Sequence, residues 1–249
     1  MSRPSPRTDL AVVVPAFRAE HLVGGVVQTV AQHLPDLAAR IYVIDDGSGD
    51  GTADAARAAG AKVIAHERNR GKGAALVTGM RAARADGYAL ALTVDADGQH
   101  PGPSCQAVAD APDPSALVLG IRDLVRDGAP RMNQFSNGVS NFFLSAFAGR
   151  RFGDTQCGLR RYPIDQALAL GARADGYAFE AEIVLLWAAA GLPFVEVPAQ
   201  VTYPPGKERV THFDSVRDPA RIIRTVLGTV ARTRLFGARR RGAVSGERA

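Results

Sequence analysis

The chain has 249 residues, is 46% hydrophobic and 22% charged, and carries a formal net charge of +5, a balance that suits one sizeable globular domain with a short appendage. Two cysteines, Cys105 and Cys157, exclude a disulfide framework and fit buried thiols in a reducing compartment. No run reaches about 18 apolar residues, which excludes a spanning helix, and the opening MSRPSPRTDL lacks the apolar stretch of a secretory signal, so a cytoplasmic location is expected.

In chain order, short β-branched runs alternate with alanine-rich segments. Residues 10–14 (LAVVV), 41–44 (IYVI), 62–65 (KVIA), 89–94 (ALALTV) and 116–120 (ALVLG) predict buried strands. Helices are predicted over 20–34, 52–59 and 73–84, with Gly60 and Gly87 where helix stops belong. This alternation predicts an α/β fold with a mainly parallel central sheet and helices on both faces. The second half is less regular. Residues 131–149 and 179–191 read as helices, and 194–201 (FVEVPAQV) as a strand that Pro198 assigns to an edge or a bulge.

A last helix is predicted over about 216–232. Arg217, Arg221, Arg224 and Arg232 fall on one side of it, and Val216, Ala220, Ile223, Leu227 and Val230 on the other. From Arg217 onward nine arginines face only Asp218 and Glu247, so the body of the chain carries −2. Such an end seeks anionic lipid or nucleic acid. Base stacking wants interleaved aromatics, and this stretch has only Phe236, so nucleic acid is not expected. The domain division is then a disordered start (1–8), a catalytic domain (9–212), an amphipathic helical appendage (213–236) and a basic tail (237–249).

Four predicted strands end in polar clusters: PAFRAE from Pro15, DDGSGDGT from Asp45, DADGQH from Asp95 and GIRD from Gly120. Ligands of open parallel sheets bind beyond the carboxyl ends of the strands. Asp95 and Asp97, two apart in extended chain, aim at one volume. Two ionised carboxylates repel there, so a hard divalent cation with Gln99 as a further oxygen donor is expected. Alone, such a pair reads as loop aspartates capping the next helix; beside Asp45 and Asp46 on a neighbouring strand end, the metal reading is preferred. His100 reads as a neighbour of the ligands, and Phe179 and Trp187 as core. Neither a dinucleotide fingerprint nor a P-loop is present.

The ordered set PAFRAE, VIDDGSGDGT, NRGKGAAL, DADGQH, GIRD and DTQCGLRRYP resembles glycosyltransferase family 2, with the GT-A fold, and within it the dolichyl- or polyprenyl-phosphate mannose synthase-like branch. The resemblance spans roughly residues 10 to 203. It implies transfer of a hexose from a nucleotide diphosphate sugar, with inversion, using Mg2+ or Mn2+. Pro15, Ala16, Phe17, Asp45, Asp46, Lys72 and Asp95 would face the nucleotide, while Asp95, Asp97 and Gln99 would serve the ion and the diphosphate. Arg122, Arg131 and Arg160, with Lys207 and Arg209 from the loop YPPGKER, would meet acceptor phosphate. Asp97 and Arg122 are the expected catalytic residues, and Asp154 is the candidate base if the acceptor is a hydroxyl. A polyprenyl phosphate acceptor implies a peripheral enzyme, with the C-terminal basic helix at the inner face of the membrane. Two departures stand out: Phe17-Arg18-Ala19 replaces Tyr-Asn-Glu, and the last loop matches its family counterpart only through Gly206, Lys207 and Arg209. A sugar-1-phosphate nucleotidyltransferase is the competing enzyme, but its glycine-rich loop after the first strand is missing. A non-enzymatic protein binding through its basic tail is the other.

Overall fold

A computed structural model describes residues 7–174, 176, 178–203 and 224–231. The first half runs β1 (Leu10–Ala16), α1 (Val23–His33), a 3-10 turn (Pro35–Arg40), β2 (Ile41–Asp45), α2 (Thr52–Ala58), β3 (Lys62–Ala65), α3 (Lys72–Ala85), β4 (Leu90–Thr93) and α4 (Gly102–Ala109). It continues through β5 (Leu117–Arg122), α5 (Arg131–Ala148), β6 (Arg160–Pro163), α6 (Ile164–Ala169), α7 (Ala178–Ala189) and β7 (Phe194–Ala199), with a further helix over residues 224–231.

The seven strands form one sheet in the order β3-β2-β1-β4-β6-β5-β7. All neighbours are parallel except β6, which runs antiparallel between β4 and β5. The strand period of two splits the core into two layers. Leu10, Val12 and Val14 of β1 pack with Val23, Val27, Cys105 and Val108 on one face. Ala11 and Val13 pack with Leu76, Met80, Ile183 and Trp187 on the other. Both faces are covered, so the strands carry continuous apolar runs rather than alternation.

β7 lies at the sheet edge, where Pro198 is tolerated. α1 starts at Val23, later than expected, because Ala19 and Glu20 are engaged by the β2–α2 loop. β6 was not expected. Its sequence RRYP looks solvent-seeking, yet Arg160 and Arg161 are fully buried. Backbone carbonyls pair most of their N–H groups: Arg161 donates through its terminal nitrogens to the Ala109, Ala111 and Asp113 oxygens, while its buried Nε has no hydrogen-bond partner. α4 follows Pro101, with proline in its first turn, where its missing N–H costs nothing.

Of the predicted C-terminal helix, only residues 224–231 are among those described. They pack on the domain through Val226, against Leu144, Ala178, Ala181 and Leu185. Thr229 is also buried, while Leu227, expected on the apolar side, is 56% exposed. The rest of that helix, Lys207 and Arg209 lie outside the described residues.

Candidate active site

β1, β2, β4 and β5 share one direction, so the four polar clusters meet at one sheet edge, as expected. The first two loops are laced together. The Arg18 N–H donates to Ser48 Oγ (2.9 Å), the Ala19 N–H to Thr52 Oγ1 (2.8 Å), and the Gly51 N–H to Glu20 Oε2 (2.8 Å). Asp45 accepts from the Ser48 N–H and hydroxyl. Asp46 accepts the Arg70 and Gly71 N–H groups at 3.0 and 2.7 Å and lies 2.6 Å from His66 Nδ1. Both aspartates are buried and hold the loops at this edge in place. Pro15 and Ala16 are buried within β1; Phe17, half-buried, is the member of that trio with surface to offer, and the Arg18 guanidinium stacks 5.2 Å from its ring centroid.

The acidic centre follows β4. Lys72 Nζ, from the first turn of α3, lies 2.6 Å from Asp95 Oδ1 and 2.9 Å from Glu180 Oε1. His100 Nε2 is 3.7 Å from Asp95 Oδ2. Burial disfavours the charged form of Asp95, but Lys72 and His100 outweigh it and hold its carboxyl well below the usual carboxylate range. Asp97 is shifted upward, by burial first and by the Asp95 charge second. Thus Asp95 already has a cation, and Asp97, which accepts the Gln99 N–H at 2.9 Å, is the carboxylate short of one. Among the described residues no three His, Cys, Asp or Glu side chains stand together so as to hold a metal ion. A hard ion that takes one or two carboxylates and completes its shell with phosphate oxygens and water fits this donor set.

Gly158 closes the floor of the centre: a Cβ there would fall on the Asp95 carboxylate. Gly158→Ala is therefore expected to push Asp95 away from Lys72 and to lower the thermal unfolding midpoint by about 2–10 °C.

On the β5 side, Arg122 meets Asp154 in a two-pronged pair, Nε to Oδ2 at 2.5 Å and Nη2 to Oδ1 at 3.1 Å. The Asp154 side chain has no exposed surface and that of Arg122 is 15% exposed. Asp154 also accepts the Gln156 N–H at 3.0 Å. Both oxygens of this carboxylate are engaged. The buried guanidinium of Arg160 donates to the carbonyls of Cys157 (2.8 Å), Thr155 (2.7 Å) and Glu180 (3.0 Å). Burial pushes the Cys157 thiol up to about 12, far from a nucleophile. Arg131 is exposed at the start of α5.

α5 buries Leu144 but turns much of its apolar surface outward. Met132, Phe135, Val139, Phe142 and Phe143 are exposed, whereas Asn137 is buried and Asn141 and Ser145 point at the chain beneath. Asn141 accepts from the Thr155 N–H and hydroxyl and donates to the Gly153 carbonyl, and Ser145 Oγ accepts the Phe152 N–H. The helix thus fixes the segment that carries Asp154.

Two of these features went unseen in the sequence, the Lys72–Glu180 pair and the α5 face. Their signals were present: two glutamates in the apolar run AFEAEIVLLWAA demand buried partners, and α5 has no charged residue between Arg131 and Arg150.

The family model for glycosyl transferase family 2 matches residues 11–162. The polyprenol monophosphomannose synthase of Mycolicibacterium smegmatis is 31% identical over 220 residues, covering 80% of this chain and 79% of that one. The dolichyl-phosphate beta-glucosyltransferase of Drosophila melanogaster is 27% identical over 225 residues, covering 80% and 68%. Among solved structures, the glucosyl-3-phosphoglycerate synthase of Mycobacterium tuberculosis superposes with a TM-score of 0.70 at 22% identity, over 89% of this chain and 80% of that one; it has also been solved with Mn2+ and UDP-glucose. The sheet, the acidic strand ends and these matches agree: the chain belongs to glycosyl transferase family 2 and is a glycosyltransferase that uses a nucleotide sugar.

Proposed function

We propose that the enzyme transfers a hexose from a nucleotide diphosphate sugar to the phosphate of a polyprenyl phosphate, with inversion at the anomeric carbon. The observation that carries this reading is the buried Arg122–Asp154 pair. A hydroxyl acceptor requires a free base, and the carboxylate expected in that role is bound to a guanidinium. An acceptor phosphate is already anionic at neutral pH and needs none. Arg122, with N–H groups beyond those given to Asp154, orients that phosphate, and Arg131 adds charge at the rim. The bond from the anomeric carbon to the diphosphate oxygen breaks as a bond to the acceptor oxygen forms; no proton moves. Asp97, with Asp95 and Gln99 beside it, would hold a Mg2+ or Mn2+ ion, which when bound offsets charge on the departing diphosphate. Lys72 faces the same diphosphate.

The outward apolar face of α5 supports a lipid acceptor. Arg131 stands at one end, Arg150 and Arg151 at the other, with no acidic residue between. Among the described residues no helix is long and apolar enough to cross a membrane, so the lipid is met from outside, through α5 in addition to the proposed C-terminal basic helix. Five dolichyl-, undecaprenyl- or polyprenol-phosphate enzymes are among the relatives.

The test is incubation with a panel of GDP- and UDP-sugars plus Mg2+ or Mn2+, with polyprenyl phosphate, with 3-phosphoglycerate, or with neither. Solvent-extractable sugar-lipid formed only with polyprenyl phosphate is expected; transfer to 3-phosphoglycerate instead, or synthesis of a nucleotide sugar from NTP and sugar phosphate, would overturn the reading. In the same assay the pair Phe135→Ser and Phe142→Ser is expected to lower binding to anionic vesicles about tenfold or more. Turnover of a short, water-soluble isoprenyl phosphate should be unaffected.

A further inference from the structure

Glu180 is an acid in the first turn of an apolar helix, 3% exposed. Such a group is costly unless paired. Its partner, Lys72, stands between two carboxylates, 2.9 Å from Glu180 and 2.6 Å from Asp95. The two helix starts that carry this pair are pinned together. A Cβ on Gly73 would lie 2.6 Å from the Ala174 carbonyl and 2.8 Å from Phe179 Cβ, so only glycine permits the approach. Glu182 fixes the facing loop by accepting the Arg173 and Ala174 N–H groups at 2.7 and 2.6 Å. The Arg160 guanidinium holds the Glu180 carbonyl at 3.0 Å.

The two carboxylates stand differently toward a ligand. Asp95 is at the open edge with its side chain 24% exposed, whereas the Glu180 side chain is 4% exposed behind the lysine. Without donor, Asp95 shares the ammonium. An arriving nucleotide diphosphate brings new anionic oxygens to the edge, and the flexible lysine stem lets the ammonium turn toward them while Glu180 still holds it.

Resting on the donor assignment above, we propose that Glu180 is a positioning residue for donor binding: it tethers the Lys72 ammonium at the sheet edge so that it passes from Asp95 to the diphosphate. The tether makes the site selective for the second phosphate group. A lysine without it would be drawn wholly to Asp95 or out to solvent.

The test compares UDP with UMP and GDP with GMP by calorimetric titration of the full chain in Mn2+. Wild type should favour the diphosphate of its cognate base. Glu180→Gln is expected to shrink that preference about tenfold while leaving the monophosphate affinity unchanged, which a general structural defect would not do. Glu180→Asp should restore part of it. Lys72→Gln should lose the same preference, and the double variant should be no worse than Lys72→Gln, since the tether has no function without the ammonium. An unchanged preference in Glu180→Gln, or a double variant worse than Lys72→Gln, overturns the proposal; the second comparison decides the matter if Glu180→Gln does not fold. Wild-type protein that binds neither diphosphate would instead defeat the donor assignment itself, and the tether with it.

Discussion

Asp97→Asn should lower sugar transfer by about a thousandfold and leave the fold as stable as before, or more so. The first half follows from what the carboxylate does in the proposed reaction. An ion held at Asp97 offsets charge that builds on the departing diphosphate, an effect of several kcal/mol, and a thousandfold corresponds to about 4 kcal/mol. The second half follows from the direction of its pKa. Burial and the neighbouring Asp95 raise the Asp97 carboxyl. A carboxyl raised on folding favours the folded state when protonated and disfavours it when charged. Its ionisation therefore costs stability above the ordinary carboxylate range, and the cost fades as pH falls. Asparagine removes the charge, keeps an oxygen for the Gln99 N–H, and removes the cost. Steady-state turnover with Mn2+ and thermal unfolding at neutral pH check the two halves. Turnover within tenfold of wild type would take the ion away from this carboxylate. A clear drop in the unfolding midpoint would mean that Asp97 belongs to the scaffold.

Chain order made the sheet legible. LAVVV, IYVI and ALVLG are long enough apolar runs to be strands buried on both faces, and the polar clusters after them had to converge once the strands were parallel. β6 was illegible because its arginines are buried, and no pattern of hydrophobicity marks a guanidinium paired with backbone carbonyls. The same physics limits what the sequence says of the site. Asp45, Asp46, Asp154 and Arg160 sit in recognisable motifs, which mark a region and not a partner. The sequence could not distinguish a side chain that touches ligand from one that shapes the loop beside it. That difference depends on pairings across long separations, such as Asp46 with Gly71 and Lys72 with Glu180, which local spacing does not encode. α5 was recognised as a helix, but its orientation was not: its inward face sets Leu144 into an apolar cluster beside Asn141 and Ser145, which bind the 152–155 segment.

Asp154→Asn should raise the Michaelis constant for the phosphate acceptor about a hundredfold and lower the unfolding midpoint by roughly 10 °C. Asp154 takes two N–H groups of Arg122 on a carboxylate with no exposed surface. The amide removes the negative charge, and its NH2 would face one of those donors. Breaking one partner out of a buried ion pair costs about 3–5 kcal/mol, and in a chain of this size each kcal/mol is worth about 2–4 °C. Arg122 would then leave its present direction, and a phosphate that relied on it would bind poorly. Arg122→Lys should show the same rise, since a point charge cannot reproduce the fork, and the double variant should be little worse than either single one because both remove one unit. A base would behave otherwise. Its loss would abolish the acidic limb of the pH–rate profile, lower turnover at saturating acceptor and leave acceptor affinity alone; that pattern would return Asp154 to the proton-transfer role and point to a hydroxyl acceptor.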